Sequence, residues 1–358
     1  MQKNRIVGYD IARALAIFIM VIINFNLVLS NLRDTGILSH VLSFLQGKGA
    51  ALFVVLAGAG ISLMIKKSLQ SNNKLDLKKK RRILLKRALF LFVTGLIYMP
   101  LWPADILHYY GFYILISVLV MHSKNKIIWT AVTVIIAMYP VLMLFIDYEA
   151  GWNWTLNEYT NFWSIQGFTR NLLINGFHPV LPWVAFMIAG LWLGRQDMSN
   201  TKIRKQILWT AMFVFMATQL ISSSLIEMLI SILGFSIEDA TAILGTQPMP
   251  PMPLFMISGI SWSFAVTAIC IWISEKSEHK KSLDFLVKTG QLAFTHYIVH
   301  IVVGILSAYL FFGENNLSSI EALLYAFLFY ILLVVFSIYW RKKFKKGPIS
   351  LLMRLITG

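Results

Sequence analysis

A few side chains of types that move protons or hold charged groups stand in this sequence where an apolar residue would be ordinary. The stretch YDIARALAIFIMVIIN, Tyr9 to Asn24, carries Asp10 and Arg13 three residues apart and closes on an amide. At i,i+3 an acid and a base share one helix face and can pair, and a pair is far cheaper in hydrocarbon than either charge alone. Asn24 follows eleven residues after Arg13, three helical turns further on and on about the same face. That face reads either as a structural ion pair with an interfacial amide or as the polar wall of an internal path, continued by Asn26 at its mouth. His40, His108 and His178 are imidazoles, which titrate near pH ~6.5 and can accept a proton at working pH. Each also suits an ordinary interfacial position. His296 and His300, in THYIVH, are spaced i,i+4. That is half of a zinc motif, but the glutamate of H-E-x-x-H is absent and no third ligand is evident, so no metal is expected. The pair reads as polar lining or as helix-to-helix hydrogen bonding. Lys48 is a lone cation eight residues after His40, placed to meet an anionic or carbonyl-bearing group or to snorkel.

The elements that position these residues are membrane helices. The chain has 358 residues, of which 58% are hydrophobic and 13% charged, with a mean hydropathy of +0.69. A soluble protein this apolar would precipitate. Ten apolar segments approach the ~20 residues needed to cross ~30 Å of hydrocarbon. They lie near 7–29, 47–65, 86–101, 105–122, 127–146, 179–195, 206–233, 254–274, 287–312 and 319–340. Lipid leaves an open strand's backbone unpartnered, so the expected fold is all-α, a polytopic membrane protein of about ten transmembrane helices. The first apolar run is too long for a signal peptide and lacks a small-residue cleavage site, so it is expected to be retained.

Basic residues orient the bundle. With the N-terminus inside and ten spans, inner segments hold 28 of the 32 Lys and Arg and outer segments hold three, Arg33, Lys48 and Arg170. This is the positive-inside bias, with N- and C-termini both cytoplasmic and a basic tail over 341–358. It also accounts for the net charge of +16 without nucleic acid. The run KKKRRILLKR, Lys78 to Arg87, reads as the end of an inner loop, solvated or touching anionic lipid heads. The longest outer segment, 147–178, mixes Trp, Phe and Tyr with Asn and Thr and suits a partly helical interfacial flap, an anchor or an acceptor-binding lid. The small residues Ala57 to Gly60 in GKGAALFVVLAGAGISL suit close helix packing. One cysteine, Cys270, permits no internal disulfide. No repeat is evident, and 1–358 reads as a single integral membrane domain.

Four stretches, RIVGYDIARALAIFIMVIINFN, GKGAALFVVLAGAGISLM, DILHYYG and WRKKFKKGPISLLMR, resemble the YeiB-type family of bacterial multi-pass membrane proteins. The opening also resembles transmembrane acyltransferases of the heparan-alpha-glucosaminide N-acetyltransferase type. There an acid, an arginine three on and an asparagine eleven further precede a catalytic histidine in the first lumenal loop. Asp10, Arg13 and Asn24 match that spacing, and His40 is the histidine of the corresponding loop. FHPVLPWVAFMIAGLWLGR, Phe177 to Arg195, is similar to a later span of that group.

The resemblance implies an acyltransferase in the bacterial cytoplasmic membrane. The donor would be acyl-CoA, acetyl-CoA foremost, approaching from the inner side with its phosphates at the basic segments and its arm beside Arg13. The acceptor would be an extracytoplasmic sugar or glycan. His40 would act as base, Asn24 as its orienting group or as donor to the oxyanion, and Asp10 as the group that places Arg13. His108, Tyr109 and His178, with Lys48, His296 and His300, would serve the substrates. Partners are then membrane lipid, donor and acceptor; the sequence leaves a homodimer open. The alternative is a transporter or exporter of a small solute with a polar, histidine-lined cavity, although no repeated half is visible.

Overall fold

The computed structural model describes residues 5–30, 36–154, 158–276, 282–313 and 315–358. Arg33 lies outside them, as do 155–157 of the aromatic segment 147–178 and 277–281 of the stretch after α11. The chain is all-α and 78% helical, so the backbone hydrogen bonds close within segments, as hydrocarbon requires.

In chain order the helices are α1 (Gly8–Leu29), α2 (Ile37–Leu45), α3 (Lys48–Gln70), α4 (Lys74–Tyr98), α5 (Leu107–Val120) and α6 (Asn125–Met143). A short antiparallel hairpin follows, β1 (Trp152–Asn153) with β2 (Glu158–Tyr159). Then come α7 (Ile165–Arg170), a π-helical turn Asn171–Asn175, α8 (Val180–Arg195), α9 (Thr201–Leu233), α10 (Ile237–Leu244) and α11 (Pro253–Glu275). The last elements are α12 (Asp284–Gln291), α13 (Ala293–Val299), a second π-helical turn His300–Ile305, α14 (Leu306–Phe312), α15 (Ser319–Lys343) and α16 (Pro348–Thr357).

Among the described residues seven helices are long and apolar enough to cross a membrane. The count is eight if Ile165–Asn175 and Val180–Arg195, bent by 46°, form one span. The chain is therefore a multi-pass membrane protein. Two of the ten apolar segments fall outside this set. One is the apolar half of α4, whose first half is the basic run Lys78–Arg87. The other is α5, which has only 14 residues. The basic run is helical and not the end of a loop: α3 continues to Gln70, and Asn73 caps α4 by accepting the Asp76 N–H at 3.0 Å. Arg and Lys are good helix formers, so nothing local stops the helix there.

The residues form two compact units. The first comprises 1–53, 198–209 and 262–356; the second comprises 54–197, 210–261 and 357–358.

In the first unit α1 is the central element, with fifteen of its residues buried. Gly290 of α12 lies against it so closely that a Cβ there would stand 1.7 Å from the Asp10 carbonyl oxygen. The Tyr330 hydroxyl of α15 donates to the Ala14 carbonyl at 2.9 Å. By contrast α2 has no buried residue. Its Ile37, Val41 and Phe44 form an exposed apolar stripe at i, i+4 and i+7.

In the second unit α3 and α8 exchange glycines. A Cβ at Gly58 would meet the Met187 carbonyl oxygen at 2.0 Å, and one at Gly190 the Val55 carbonyl oxygen at 2.1 Å. This is the close packing that the small-residue run suggested. In the same unit α9 exposes Phe213, Leu220 and Ile232, as a helix facing lipid does.

Candidate active site

Both units gather polar side chains in their interiors. In the first, Asp10 is 1% exposed and is gripped by two guanidinium groups. Arg13 Nη1 lies 2.9 Å from Asp10 Oδ1, and Arg5 Nη2 lies 2.8 Å from Oδ2. One carboxylate between two cations leaves the cluster with a net positive charge. A recess of about 480 Å³ opens beside it, lined by Arg5, Ile11, Ser274, Glu275 and Asp284 among others.

Three turns along α1, the Asn24 amide lies 3.1 Å from His300 Nε2. The other ring nitrogen, His300 Nδ1, lies 3.2 Å from the His296 carbonyl oxygen. A carbonyl only accepts, so Nδ1 carries the proton and Nε2 accepts from Asn24 Nδ2. One of the two Asn24 N–H donors is then engaged and the other is left over.

His296 turns elsewhere. Its Nε2 lies 2.7 Å from Ser337 Oγ. That hydroxyl gives its own proton to the Leu333 carbonyl at 2.8 Å, so it accepts from His296 Nε2–H. The i,i+4 histidines therefore bind different helices. They are held by helix-to-helix hydrogen bonds, and His296 Nδ1 has no hydrogen-bond partner among the described residues.

His40 is exposed on α2, and its Nδ1 lies 3.1 Å from the Gly36 carbonyl. The same reasoning puts the proton on Nδ1 and leaves the Nε2 lone pair outward. Lys48 opens α3, is 1% exposed, and lies 5.9 Å from the Phe44 ring centroid.

The second unit holds His108, Tyr109 and His178, together with two residues the sequence reading passed over, Asp105 and Asn171. Asp105 is fully buried. Its Oδ1 accepts from the Tyr98 hydroxyl at 2.5 Å and the Leu107 N–H at 2.9 Å. Its Oδ2 accepts from the His108 N–H at 3.1 Å and from His108 Nδ1 at 2.9 Å. Four donors fill the carboxylate, so it is ionised and His108 holds its Nδ1 proton. His108 Nε2 is buried without a partner among the described residues, as are His178 Nδ1 and Trp183 Nε1. Tyr109 links this group to Asn171, donating to its Oδ1 at 2.5 Å. The Tyr109 ring centroid lies 3.9 Å from that of His108 and 6.2 Å from that of His178. The signal for Asp105 was present: an acid three residues before a histidine, the spacing that singled out Asp10 and Arg13.

Arg5 and Ser337 were also passed over, Arg5 because it precedes the apolar run and Ser337 because serine is common in membrane helices. Among the described residues no group of three or more His, Cys, Asp or Glu is placed to hold a metal ion.

Two family models match this chain. Residues 191–358 match a family described as proteins of unknown function, DUF418. Residues 5–233, which include α1, His40, Lys48 and the Asp105–His178 group, match the heparan-alpha-glucosaminide N-acetyltransferase catalytic domain. No curated protein matches. The second match covers more than half of the chain and holds the spacing of Asp10, Arg13 and Asn24. The chain belongs to the heparan-alpha-glucosaminide N-acetyltransferase catalytic family, a family of membrane acetyltransferases.

Proposed function

We propose that the protein transfers an acyl group, acetyl foremost, from cytoplasmic acyl-CoA to an extracytoplasmic sugar or glycan-like acceptor. In this reading it crosses the bacterial cytoplasmic membrane ten times, counting the apolar half of α4 and the short α5, and keeps both termini in the cytoplasm. The distribution of its basic residues supports that topology. The observation that carries the reading is the polar file of α1, with Asp10 and Arg13 at one end and Asn24 bonded to His300 further along.

The chemistry is an attack by the acceptor's hydroxyl or amine on the thioester carbonyl carbon. A C–O or C–N bond forms, the C–S bond breaks, and the thiolate leaves. His40 takes the acceptor's proton on Nε2. Its Nδ1–H is committed to Gly36, which fixes the tautomer a base needs. Asn24 keeps one N–H after serving His300, and this hydrogen bond is available to the carbonyl oxygen as it becomes an oxyanion. A fixed donor in a water-poor site is worth ~3 kcal/mol, or ~10²–10³ in rate. Arg13, placed by Asp10, lies beside the donor's arm, with Arg5 giving further positive charge for its phosphates. Lys48 and His296, of the same unit, complete the surroundings of the substrates.

The test is transfer of radiolabelled acetyl from acetyl-CoA in proteoliposomes. His40→Ala, on a helix with no buried residue, should abolish transfer and leave the fold intact. Unchanged turnover would remove His40 from the mechanism, and solute uptake with no acyl donor would favour a carrier instead.

A further inference from the structure

At the C-terminal end of α1, within the first unit, a second recess of about 150 Å³ is walled by Asn26, Ser30, Ser39, Ser43, Gln46 and Ser319, with three aliphatic side chains completing it. A single water needs roughly 10–15 Å³ of such space, so the recess has room for a small organic group. None of the described residues lining it is charged.

Asn26 is 5% exposed. Its Nδ2 donates to the Ile22 carbonyl at 3.1 Å, while its Oδ1 has no hydrogen-bond partner among the described residues. Buried acceptors are normally paired, so this oxygen calls for a donor that the described residues do not supply. Ser30 cannot supply one, because its hydroxyl proton goes to the Asn26 carbonyl oxygen at 2.6 Å.

Ser39 and Ser43 share one face of α2 at i and i+4, and Gln46 follows as its C-cap. His40 follows Ser39 and stands three residues before Ser43, so it borders that face. His40 itself is not among the lining residues but is next in sequence to Ser39, which is; a nearby base and an unsatisfied acceptor on a lining residue are the two groups that orient an X–H nucleophile.

We propose that this recess holds the hydroxyl- or amine-bearing, non-anionic end of the acyl acceptor, with Asn26 as a positioning residue that accepts one of its O–H or N–H groups. The reacting X–H then faces His40. This rests on the acyl-transfer reading and adds to it the chemistry of the acceptor: an anionic group has no proton for Asn26 Oδ1 and meets no cation among the described walls.

The test is binding without any acyl donor. Full-length protein in detergent is titrated with glycerol, ethanolamine and glucosamine, and with glucosamine 6-phosphate as the anionic counterpart. At least one of the first three should bind, with glucosamine 6-phosphate weaker than glucosamine. Asn26→Leu should weaken binding at least tenfold. Ser39→Leu, which fills the recess from a helix without buried residues, should do the same and guards against a folding defect in the first variant. Absence of binding by all three, or binding unchanged in Ser39→Leu, overturns the proposal and leaves a recess that holds water only. Consumption of acetyl-CoA by the wild type is measured separately. Variant-sensitive binding without it would sink acyl transfer and keep the recess, whereas consumption with variant-insensitive binding would sink the recess alone.

Discussion

Asn24 and His300, 276 positions apart in sequence, share a hydrogen bond of 3.1 Å inside the first unit. The bond ties α1 to the π-helical turn after α13 and holds a neutral imidazole by both nitrogens. Asn24→Leu removes the donor and strands the buried Nε2. The expected cost is about 1–3 kcal/mol of stability, read as a lowered unfolding temperature in detergent. Acetyl transfer should fall by ~10²–10³, the size of a lost oxyanion donor. His300→Ala should cost stability with a smaller loss of rate, because it frees the Asn24 amide without removing it.

Asp105 and His108 give the opposite ranking. Asp105→Asn keeps the shape but turns an N–H₂ group towards a nest of four donors. Breaking a buried charge network in this way costs about 3–5 kcal/mol. His108→Ala leaves the carboxylate three of its four donors, so its unfolding temperature should lie between those of Asp105→Asn and the wild type. A milder effect of Asp105→Asn than of His108→Ala would show that the carboxylate is not the hub.

The approach of α12 to α1 is a backbone contact. Gly290→Ala puts a methyl 1.7 Å from the Asp10 carbonyl oxygen, and neither partner is a flexible side chain. The helices must separate, with a loss of several kcal/mol by the overpacking mechanism and disturbance of the Arg5–Asp10–Arg13 cluster. Gly36→Ala, where a Cβ meets nothing within 4 Å, should be silent in the same thermal assay.

At the start of α4, outside the proposed spans, Lys80 and Ser68 hold the Asp76 carboxyl below its usual range of about 3.8. A depressed folded-state pKa contributes stability that is present above the unfolded value and lost as pH falls through the folded one. Hydrogen exchange at the α3–α4 connection should therefore be insensitive to pH, once intrinsic rates are corrected, down to about pH 4 and rise below it. Asp76→Asn should flatten that rise. A pH response retained in the variant would assign it to other carboxyls.

The apolar runs and the small-residue run were legible because hydrocarbon length and backbone approach are written directly in composition. α1 is the clearest instance: its length and its Asp10–Arg13 pair follow from spacing alone. What stayed hidden depends on partners distant in sequence. Ser337 is an unmarked serine until α15 brings it to His296, and the i,i+4 spacing of His296 and His300 gives no sign that they bond to different helices. The aromatic segment after α6 pairs Trp152 with Tyr159 across a hairpin, and neither strand is long enough to show a period of two. The basic run in the first half of α4 misled through its charge: lysine and arginine mark the inner side of a membrane, and they also continue a helix.

The exposure of α2 carries one consequence for rate. His40 rides on a helix with two apolar stripes, Leu38, Leu42 and Leu45 half-buried and Ile37, Val41 and Phe44 exposed, so lipid and protein together fix its depth and tilt. In the proposed mechanism, a base moored in this way answers to lateral pressure and lipid chain length as well as to its protein neighbours.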